Sequence, residues 1–220
     1  TGKLIAEHIG AYSNGYSLGE IIGRGGTSGI GVFSFDFGGF IVDGGHSLKS
    51  KSSFLPSSAS QAKPPQLLAH YDFPDDWEIL LVILDSKNTV NGQKEVNIFQ
   101  DYCPVPKNEV EQTSHIIFMN MIPFLLERDL PAFGHSIDEI QKRGFKNVEV
   151  SLQSQQLRDL MDKLREIGAY GVGMSSFGPT VYSVFDKNNK HIVEEIKEYV
   201  GNRGIVLTTK AQNYGHEIQK

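Results

Sequence analysis

The chain has 220 residues with 39% apolar side chains and 23 glycines, enough to bury the core of one ample domain or two small ones. Its net charge of −5 at pH 7 argues against a general nucleic-acid-binding surface, and no apolar run approaches the roughly 18 residues of a membrane span. No signal peptide is visible. The lone cysteine, Cys103, excludes an internal disulfide and is typical of a reducing, cytoplasmic compartment.

The first predicted elements surround a glycine-rich loop. Residues Lys3–His8 are typical of a short helix, and the capping-box pattern Ser17-Leu18-Gly19-Glu20 predicts a second helix that Gly23 ends. A third helix is predicted from Thr27 to Phe37, and the apolar run Gly39–Asp43 predicts a strand.

Residues 47–65 change character, because serine, lysine and proline dominate them. This composition is typical of a flexible loop and gives our predicted boundary, with one domain over residues 1–65 and another over 66–220. Lys49, Lys51 and Lys63 could close over a phosphorylated ligand as a lid, and the alternative is a connection without that role.

The second part of the chain is predicted to combine strands and helices. Its strongest strand is the apolar run Glu78–Asp85, which we expect to be covered on both faces. The remaining predictions are a helix over Glu109–Glu127 kinked by Pro123, a helix begun by the capping box Ser136-x-x-Glu139, an amphipathic helix from Ser154, a hairpin over Gly168–Phe185, a helix from Ile192 and a strand over Gly204–Lys210. This order is a split βαβ, ferredoxin-like pattern, so the predicted fold class is α+β.

The loop itself, Gly23–Gly31, contains five glycines together with an arginine, a threonine and a serine. Glycines let a ligand approach main-chain N–H groups, and a helix that begins at once presents unpaired donors that suit a phosphate. Thr27 or Ser28 is predicted to cap that helix, and Arg24 adds a permanently charged, planar donor for the same anion. The alternative is a surface turn with an ordinary helix cap.

Taken with the residues that follow it, the loop resembles a known family. The stretch GRGGTSGIGVFSFDFGGFIVDGGHS closely resembles the central motif of the β-ribofuranosylaminobenzene 5′-phosphate synthases, members of the GHMP kinase superfamily that serve methanopterin biosynthesis in archaea. The Gly-Leu-x-Ser-Ser-Ala type of loop in the kinases is here Gly-Thr-Ser-Gly-Ile-Gly, which favours the synthase. The resemblance implies a GHMP-like architecture, in which a partial S5 domain 2-like part precedes a ferredoxin-like part. It enters part-way through the first part, so we expect a fragment without the family's first strands.

A second glycine-rich stretch, Gly171-x-Gly173-x-Ser175-Ser176-x-Gly178-Pro179, is similar to the third motif of the GHMP superfamily. Its hydroxyls and accessible backbone suit a ligand, and the resemblance implies that it faces the first loop across a cleft. We therefore predict that the two turns converge on one anion pocket. The predicted substrate contacts are Gly171, Gly173, Ser175, Ser176 and Gly178, and the alternative is a tight hairpin that binds nothing.

The reaction implied by the resemblance moves ribose 5-phosphate from phosphoribosyl pyrophosphate to the ring of 4-aminobenzoate or 4-hydroxybenzoate, with release of CO₂ and pyrophosphate. The predicted phosphate-binding residues are Arg24, Gly25, Gly26, Thr27, Ser28, Gly29 and Gly31. Two residues are predicted to be catalytic. Asp43 could stabilise developing positive charge or hold Mg²⁺, and His46 could act on a proton or hold the substrate carboxylate.

Among cofactors, Mg²⁺ is a candidate and no organic cofactor is expected. The resemblance implies a cytoplasmic homodimer that acts on small molecules, and neither nucleic acid nor a membrane is expected as a partner. Two other functions stay open: a GHMP-class kinase that would use the same loop for ATP, and an inactive ligand-binding fragment.

Overall fold

A computed structural model describes residues 2–10, 14–46, 49, 53–56, 59–60, 62–85 and 92–217 of the chain. The chain forms two compact units. The first comprises Thr1–Phe73, Asn91–Asp101 and Ala211–Lys220, and the second comprises Pro74–Val90 and Tyr102–Lys210. The first unit thus extends beyond the predicted boundary at residue 65 and takes in two later segments. None of the helices in the described ranges has both the length and the apolar character that crossing a membrane requires.

The first unit carries the glycine-rich loop between short helices and a two-stranded sheet. Its elements are α1 (Gly2–His8), α2 (Gly15–Ile21), α3 (Ile30–Phe37), β1 (Phe40–Asp43), β2 (Leu67–Tyr71) and α4 (Gly92–Tyr102). The last residue of α4, Tyr102, belongs to the second unit. Strands β1 and β2 pair antiparallel, from Phe40 opposite Tyr71 to Asp43 opposite Leu67. Strand β2 is absent from the sequence predictions, because three of its five residues are only partly buried, the other two are exposed, and the strand has no strong apolar pattern.

The last described residues of the first unit lie against α3. The Gly39 main-chain N–H donates to the Gln212 carbonyl oxygen at 2.7 Å, and the His216 N–H donates to the Phe35 carbonyl oxygen at 2.8 Å. The rings of Phe35 and His216 also stack, with centroids 4.1 Å apart. These contacts fix the end of α3 within the unit.

The second unit is built on a four-stranded antiparallel sheet with strand order β4-β5-β3-β6. Its elements are β3 (Glu78–Leu84), α5 (Lys107–His115), a π-helical segment (Ile116–Met121), α6 (Ile122–Glu127), α7 (Leu130–Gln141), α8 (Gly144–Ser151), α9 (Gln155–Glu166), β4 (Tyr170–Met174), β5 (Thr180–Phe185), α10 (His191–Val200) and β6 (Gly204–Thr209). The predicted ferredoxin-like arrangement is confirmed, because a strand, helices, a hairpin, a helix and a strand follow in that order.

The core of the second unit lies between the sheet and the helices α9 and α10. The expectation that β3 is covered on both faces is met in full on one face and in part on the other. Leu80, Val82 and Leu84 are buried, whereas the intervening apolar residues are only partly buried. An antiparallel sheet commonly packs one face more fully than the other, and the continuous apolar run does not reveal this asymmetry.

Two helices begin at caps other than the predicted capping boxes. Asn14, rather than Ser17, caps α2, because its side-chain oxygen accepts a hydrogen bond from the Ser17 N–H at 2.8 Å. Asp129 caps α7 by accepting from the Ala132 N–H at 3.0 Å. Ser136 therefore lies inside α7, where its hydroxyl donates to the Ala132 carbonyl oxygen at 3.1 Å.

The long helix predicted over residues 109–127 is interrupted shortly before Pro123. The π-helical segment separates α5 from α6, and Pro123, which has no N–H to donate, occupies the first turn of α6. By contrast, Ser154 caps α9 as predicted, accepting from the Leu157 N–H at 3.3 Å.

Candidate active site

Asp43, the last residue of β1, holds the glycine-rich loop in place. Its Oδ2 accepts hydrogen bonds from Ser28 Oγ at 3.0 Å and from the Gly29 main-chain N–H at 2.7 Å. Its Oδ1 accepts from the Gly45 N–H at 2.9 Å. The carboxylate of Asp43 thus occupies the start of α3, where we predicted a phosphate, and it supplies the negative charge that this end of a helix favours.

The prediction that Thr27 or Ser28 caps α3 is wrong. The cap position is Gly29, which has no side chain to donate or accept. Thr27 Oγ1 instead donates to the Leu55 carbonyl oxygen at 2.7 Å, and Ser28 Oγ reaches the Ile30 N–H only at 3.3 Å. The hydroxyl protons of Thr27 and Ser28 are therefore donated to the protein itself.

Three of the loop glycines are explained by close protein neighbours. Gly25, Gly26 and Gly29 are buried. An added Cβ would lie 2.8 Å from Pro64 at Gly25, 2.7 Å from Phe33 at Gly29 and 3.0 Å from its nearest neighbour at Gly26. The Gly29 N–H is also donated to Asp43, so it is not the phosphate donor that we predicted.

The loop still offers several donors to an anion. Arg24, Ser28 and Gly31 are exposed. Within the described part of the chain, the guanidinium of Arg24 makes no ion pair or hydrogen bond, and the main-chain N–H groups of Ser28 and Gly31 have no acceptor. These three groups are the parts of the predicted phosphate site that a ligand can reach.

A cavity of about 250 Å³ lies beside these donors, bordered by α1, α2 and α3. Its wall includes Arg24 and Gly31 together with the apolar side chains of Leu18, Val32 and Phe35. No pattern in the sequence marks this cavity, because its residues come from three helices and the loop between two of them.

The ring of His46 is anchored by its Nε2 atom, which donates to the Lys63 carbonyl oxygen at 2.8 Å. The Nδ1 atom is therefore the one left to accept a proton. The ammonium of Lys63 lies 2.8 Å from the Glu20 carboxylate, whose hydrogen bond and negative charge raise the pKa of Lys63. This exposed pair gives Lys63 a partner in its own unit, and its lid role stays a prediction. Of the other two lid residues, Lys49 is exposed and Lys51 lies outside the described residues.

The second glycine-rich turn joins β4 to β5 in the second unit. The Ser175 N–H donates to the Thr180 carbonyl oxygen at 3.0 Å, and the Gly178 N–H donates to the Ser175 carbonyl oxygen at 2.8 Å. The peptide bond between Gly178 and Pro179 is cis, and Ser176 has a φ of 46°. Both serines are exposed, and their contact with substrate stays a prediction.

Gly171 and Gly173 are buried inside β4, below this turn. An added Cβ would lie 2.8 Å from Ile137 Cδ1 at Gly171 and 2.4 Å from Tyr182 Cζ at Gly173. Close packing against α7 and β5 accounts for both glycines. We therefore assign them to packing instead of to the predicted contact with substrate.

Lys146, on α8, is a residue at this turn that the sequence analysis missed. Its Nζ atom donates to the carbonyl oxygens of Met174 and Ser176, both at 3.3 Å, and it pairs with Glu149. Since the turn and the lysine are far apart in the chain, no local motif connects them.

The predicted metal site and the predicted shared pocket both stay predictions. No three His, Cys, Asp or Glu side chains of the described residues are grouped so that they could hold one metal ion. The carboxylate of Asp43 accepts three protein hydrogen bonds, and its role as a Mg²⁺ ligand stays a prediction. The first loop belongs to one unit and the second turn to the other, so their convergence on one pocket stays a prediction.

Comparisons with known proteins agree with this architecture. The family model for the GHMP kinase C-terminal domain matches residues 121–205. The β-ribofuranosylphenol 5′-phosphate synthase of Methanothermobacter thermautotrophicus is 50% identical over 98% of this chain and 65% of its own length. That of Archaeoglobus fulgidus is 45% identical over 99% of this chain and 68% of its own length. The chain belongs to the β-ribofuranosylphenol 5′-phosphate synthase family.

The chain spans about two thirds of the length of these synthases. Homoserine kinase from Cytophaga hutchinsonii superposes with a TM-score of 0.65 at 15% identity, over 96% of this chain and 62% of the kinase. At that identity the likeness shows a shared fold alone. Together the comparisons confirm the predicted synthase family and the predicted GHMP-like α+β fold.

Proposed function

We propose that the protein acts as a β-ribofuranosylphenol 5′-phosphate synthase. The observation that supports this most is the identity of 45–50% to synthases of that name over nearly the whole chain. The product in that name is a ribosylated phenol, so the acceptor that we propose is 4-hydroxybenzoate. The donor that we propose is phosphoribosyl pyrophosphate.

In the proposed reaction, the ring carbon that carries the carboxylate attacks the anomeric carbon of the ribose. The anomeric C–O bond breaks, and its electron pair leaves with pyrophosphate. The bond from the ring to the carboxylate then breaks, which releases CO₂ and returns an electron pair to the ring. The atoms and electrons balance without an oxidant or a reductant.

The first unit supplies the residues for the donor and for proton transfer. We assign phosphate groups of the donor to the unbonded main-chain N–H groups of two exposed residues, Ser28 and Gly31, at the start of α3. Asp43 acts as a positioning residue, because it fixes the loop that carries both groups. His46 accepts the proton of the phenol hydroxyl through Nδ1, which raises the electron density at the attacking carbon. After CO₂ has left, His46 returns the proton to the phenolate oxygen of the product.

The second unit contributes Ser175 and Ser176 as proposed substrate contacts, on the support of their exposure and of the resemblance to the third GHMP motif. The family resemblance alone supports two further parts of the proposal, a homodimer and a cytoplasmic location. Analytical ultracentrifugation tests the dimer.

Release of labelled CO₂ from carboxyl-labelled 4-hydroxybenzoate tests the proposed function. We expect labelled CO₂ and pyrophosphate in equal amounts, and only when phosphoribosyl pyrophosphate is present. The longer synthase of M. thermautotrophicus serves as the reference. ADP formation from ATP without CO₂ release would instead support the GHMP-class kinase, and binding of both substrates without turnover would support a ligand-binding piece.

A further inference from the structure

We propose that the cavity bordered by α1, α2 and α3 binds the aromatic acid, with the guanidinium of Arg24 on its carboxylate and its ring against Gly31. The inference rests on the proposed function, since it names where that reaction holds its acceptor. It also moves Arg24 from the donor's pyrophosphate, where the sequence placed it, to the acceptor.

The size and the wall of the cavity suit a single aromatic ring. Its volume of about 250 Å³ is below the roughly 300–1,000 Å³ of sites for drug-sized ligands, so the cavity suits a single ring better than a nucleotide. Leu18 and Val32 form buried parts of the wall, while Ile22 and Phe35 remain 52% and 40% exposed. A ring in the cavity would cover this apolar surface and remove it from water.

Gly31 is a loop glycine that the protein's own packing does not explain. Close neighbours account for Gly25, Gly26 and Gly29, and a φ of 69° accounts for Gly23. At Gly31 an added Cβ would meet nothing within 4 Å, and the residue lies in the first turn of α3, where glycine is less favourable than alanine. The absent side chain leaves room on the cavity wall, which is what a flat ligand needs.

The charged side chains on the cavity wall favour an anionic ligand. Its wall includes two cations, Arg24 and Lys3, and no carboxylate among the described lining residues, although the chain carries a net charge of −5. Asp36 is an acid beside the wall, and its carboxylate accepts the Gly15 N–H at 2.5 Å. The planar guanidinium of an arginine matches the two oxygens of a carboxylate.

Titration calorimetry with two ligands tests the site, because 4-hydroxybenzoate carries a carboxylate and phenol does not. We expect Arg24→Gln to weaken 4-hydroxybenzoate binding at least tenfold and to leave phenol binding unchanged. We expect Gly31→Leu to abolish binding of both, since leucine is a good helix former that fills the cavity. Arg128→Gln, at an exposed arginine of the second unit, should change neither.

Several results would overturn the inference. They are failure of the unmodified protein to bind 4-hydroxybenzoate, unchanged binding in Gly31→Leu, and loss of pyrophosphate binding alone in Arg24→Gln. Far-UV circular dichroism checks the fold of each variant. A smaller substitution, Gly31→Ala, should weaken binding of the ring about threefold, because a methyl group does not fill the cavity. The CO₂ assay separates this inference from the proposed function. Binding in the cavity without CO₂ release contradicts only the function, whereas CO₂ release with a normal KM for 4-hydroxybenzoate in both variants contradicts only the site.

Discussion

The carboxylate of Asp43 changes how the glycine-rich loop can bind an anion. A free helix N-terminus attracts phosphate, but in this protein a side chain from β1 already accepts the Gly29 N–H there. In the proposed site, the phosphate binds beside this carboxylate, through donors that Asp43 leaves unused. The role of Asp43 is to fix the loop, and we expect its loss to affect both stability and donor binding.

Asp43→Asn should lower the free energy of unfolding by about 1 to 2 kcal/mol, because the charge-assisted bonds to Ser28 and Gly29 become weaker. It should also weaken binding of phosphoribosyl pyrophosphate about tenfold, a change worth about 1.4 kcal/mol. Differential scanning and titration calorimetry measure the two effects. Asp72→Asn, at an exposed aspartate of the same unit, is the control and should change neither. Normal donor binding by Asp43→Asn would show that the loop does not depend on this carboxylate.

His46 can be tested as a base with two substitutions that differ in one hydrogen bond. Glutamine retains an N–H that can donate to the Lys63 carbonyl oxygen, whereas alanine does not. We expect both His46→Gln and His46→Ala to lower the rate of CO₂ release at least about 100-fold, the lower end of the usual effect of a general base. If His46→Gln kept the rate, the residue would position the Lys63 segment rather than move a proton.

Periodic elements were the part of the fold that the sequence predicted well. The amphipathic helix after Ser154 and the hairpin before Asp186 are present because their apolar patterns match the faces that the core buries. The predicted starts of α2 and α7 were wrong. Each helix has more than one side chain nearby that could cap it, and Asn14 and Asp129 are the ones that do. Which side chain caps a helix depends on the path of the whole chain and not on the local motif.

The contact between Gly173 on β4 and Tyr182 on β5 gives a sharp test of the hairpin. Gly173→Ala should lower the free energy of unfolding by about 2 kcal/mol, because the new Cβ would lie 2.4 Å from Tyr182 Cζ. Chemical denaturation measures the effect, which should shrink when Tyr182 is also replaced by alanine. Gly31→Ala is a matched control on an open helix position and should raise stability by about 0.5 to 1 kcal/mol. Equal effects of the two substitutions would contradict the packing.

The same tyrosine should make stability depend on alkaline pH. Burial, and secondarily the charge of Asp138, raise the pKa of Tyr182 to about 12, against about 10 for an unfolded tyrosine. Below pH 10 the hydroxyl is protonated in both states, and above it the unfolded state ionises first. The free energy of unfolding should therefore fall between pH 10 and 12, by up to about 1.4 kcal/mol per unit. Denaturation of the unmodified protein and of Tyr182→Phe isolates this contribution, which an identical pH profile of the two would refute.

The division of the chain into two units shows why the unit boundary and the roles of the loop residues could not be predicted. Composition placed a boundary near residue 65, but residues 91–101 and 211–220 return to the first unit. The roles of the loop residues likewise depend on partners far away in the chain, such as Pro64 beside Gly25. In the second unit, Lys146 on α8 donates a hydrogen bond to the turn between β4 and β5. The motifs identified the family, whereas these contacts decide what each residue does.

The core of the second unit can be followed through a single reporter. Trp77 is the only tryptophan of the chain, it lies in that unit and it is 2% exposed. Leu160→Ala should lower the free energy of unfolding seen by its fluorescence by about 2 to 5 kcal/mol, because a fully buried leucine leaves a cavity. Leu126→Ala, at a residue 60% exposed, should change it by less than about 0.5 kcal/mol. Similar losses in the two variants would mean that the core is elsewhere.

The crowding of Gly25 and Gly29 by Pro64 and Phe33 bears on any attempt to re-engineer the protein. In a library that randomises the whole loop, most substitutions at these two positions would disturb folding, whatever the ligand. Residue 31 is different, since side chains there extend into open space. Selection for a new acceptor should begin at that position, where survivors would report fit to the incoming molecule.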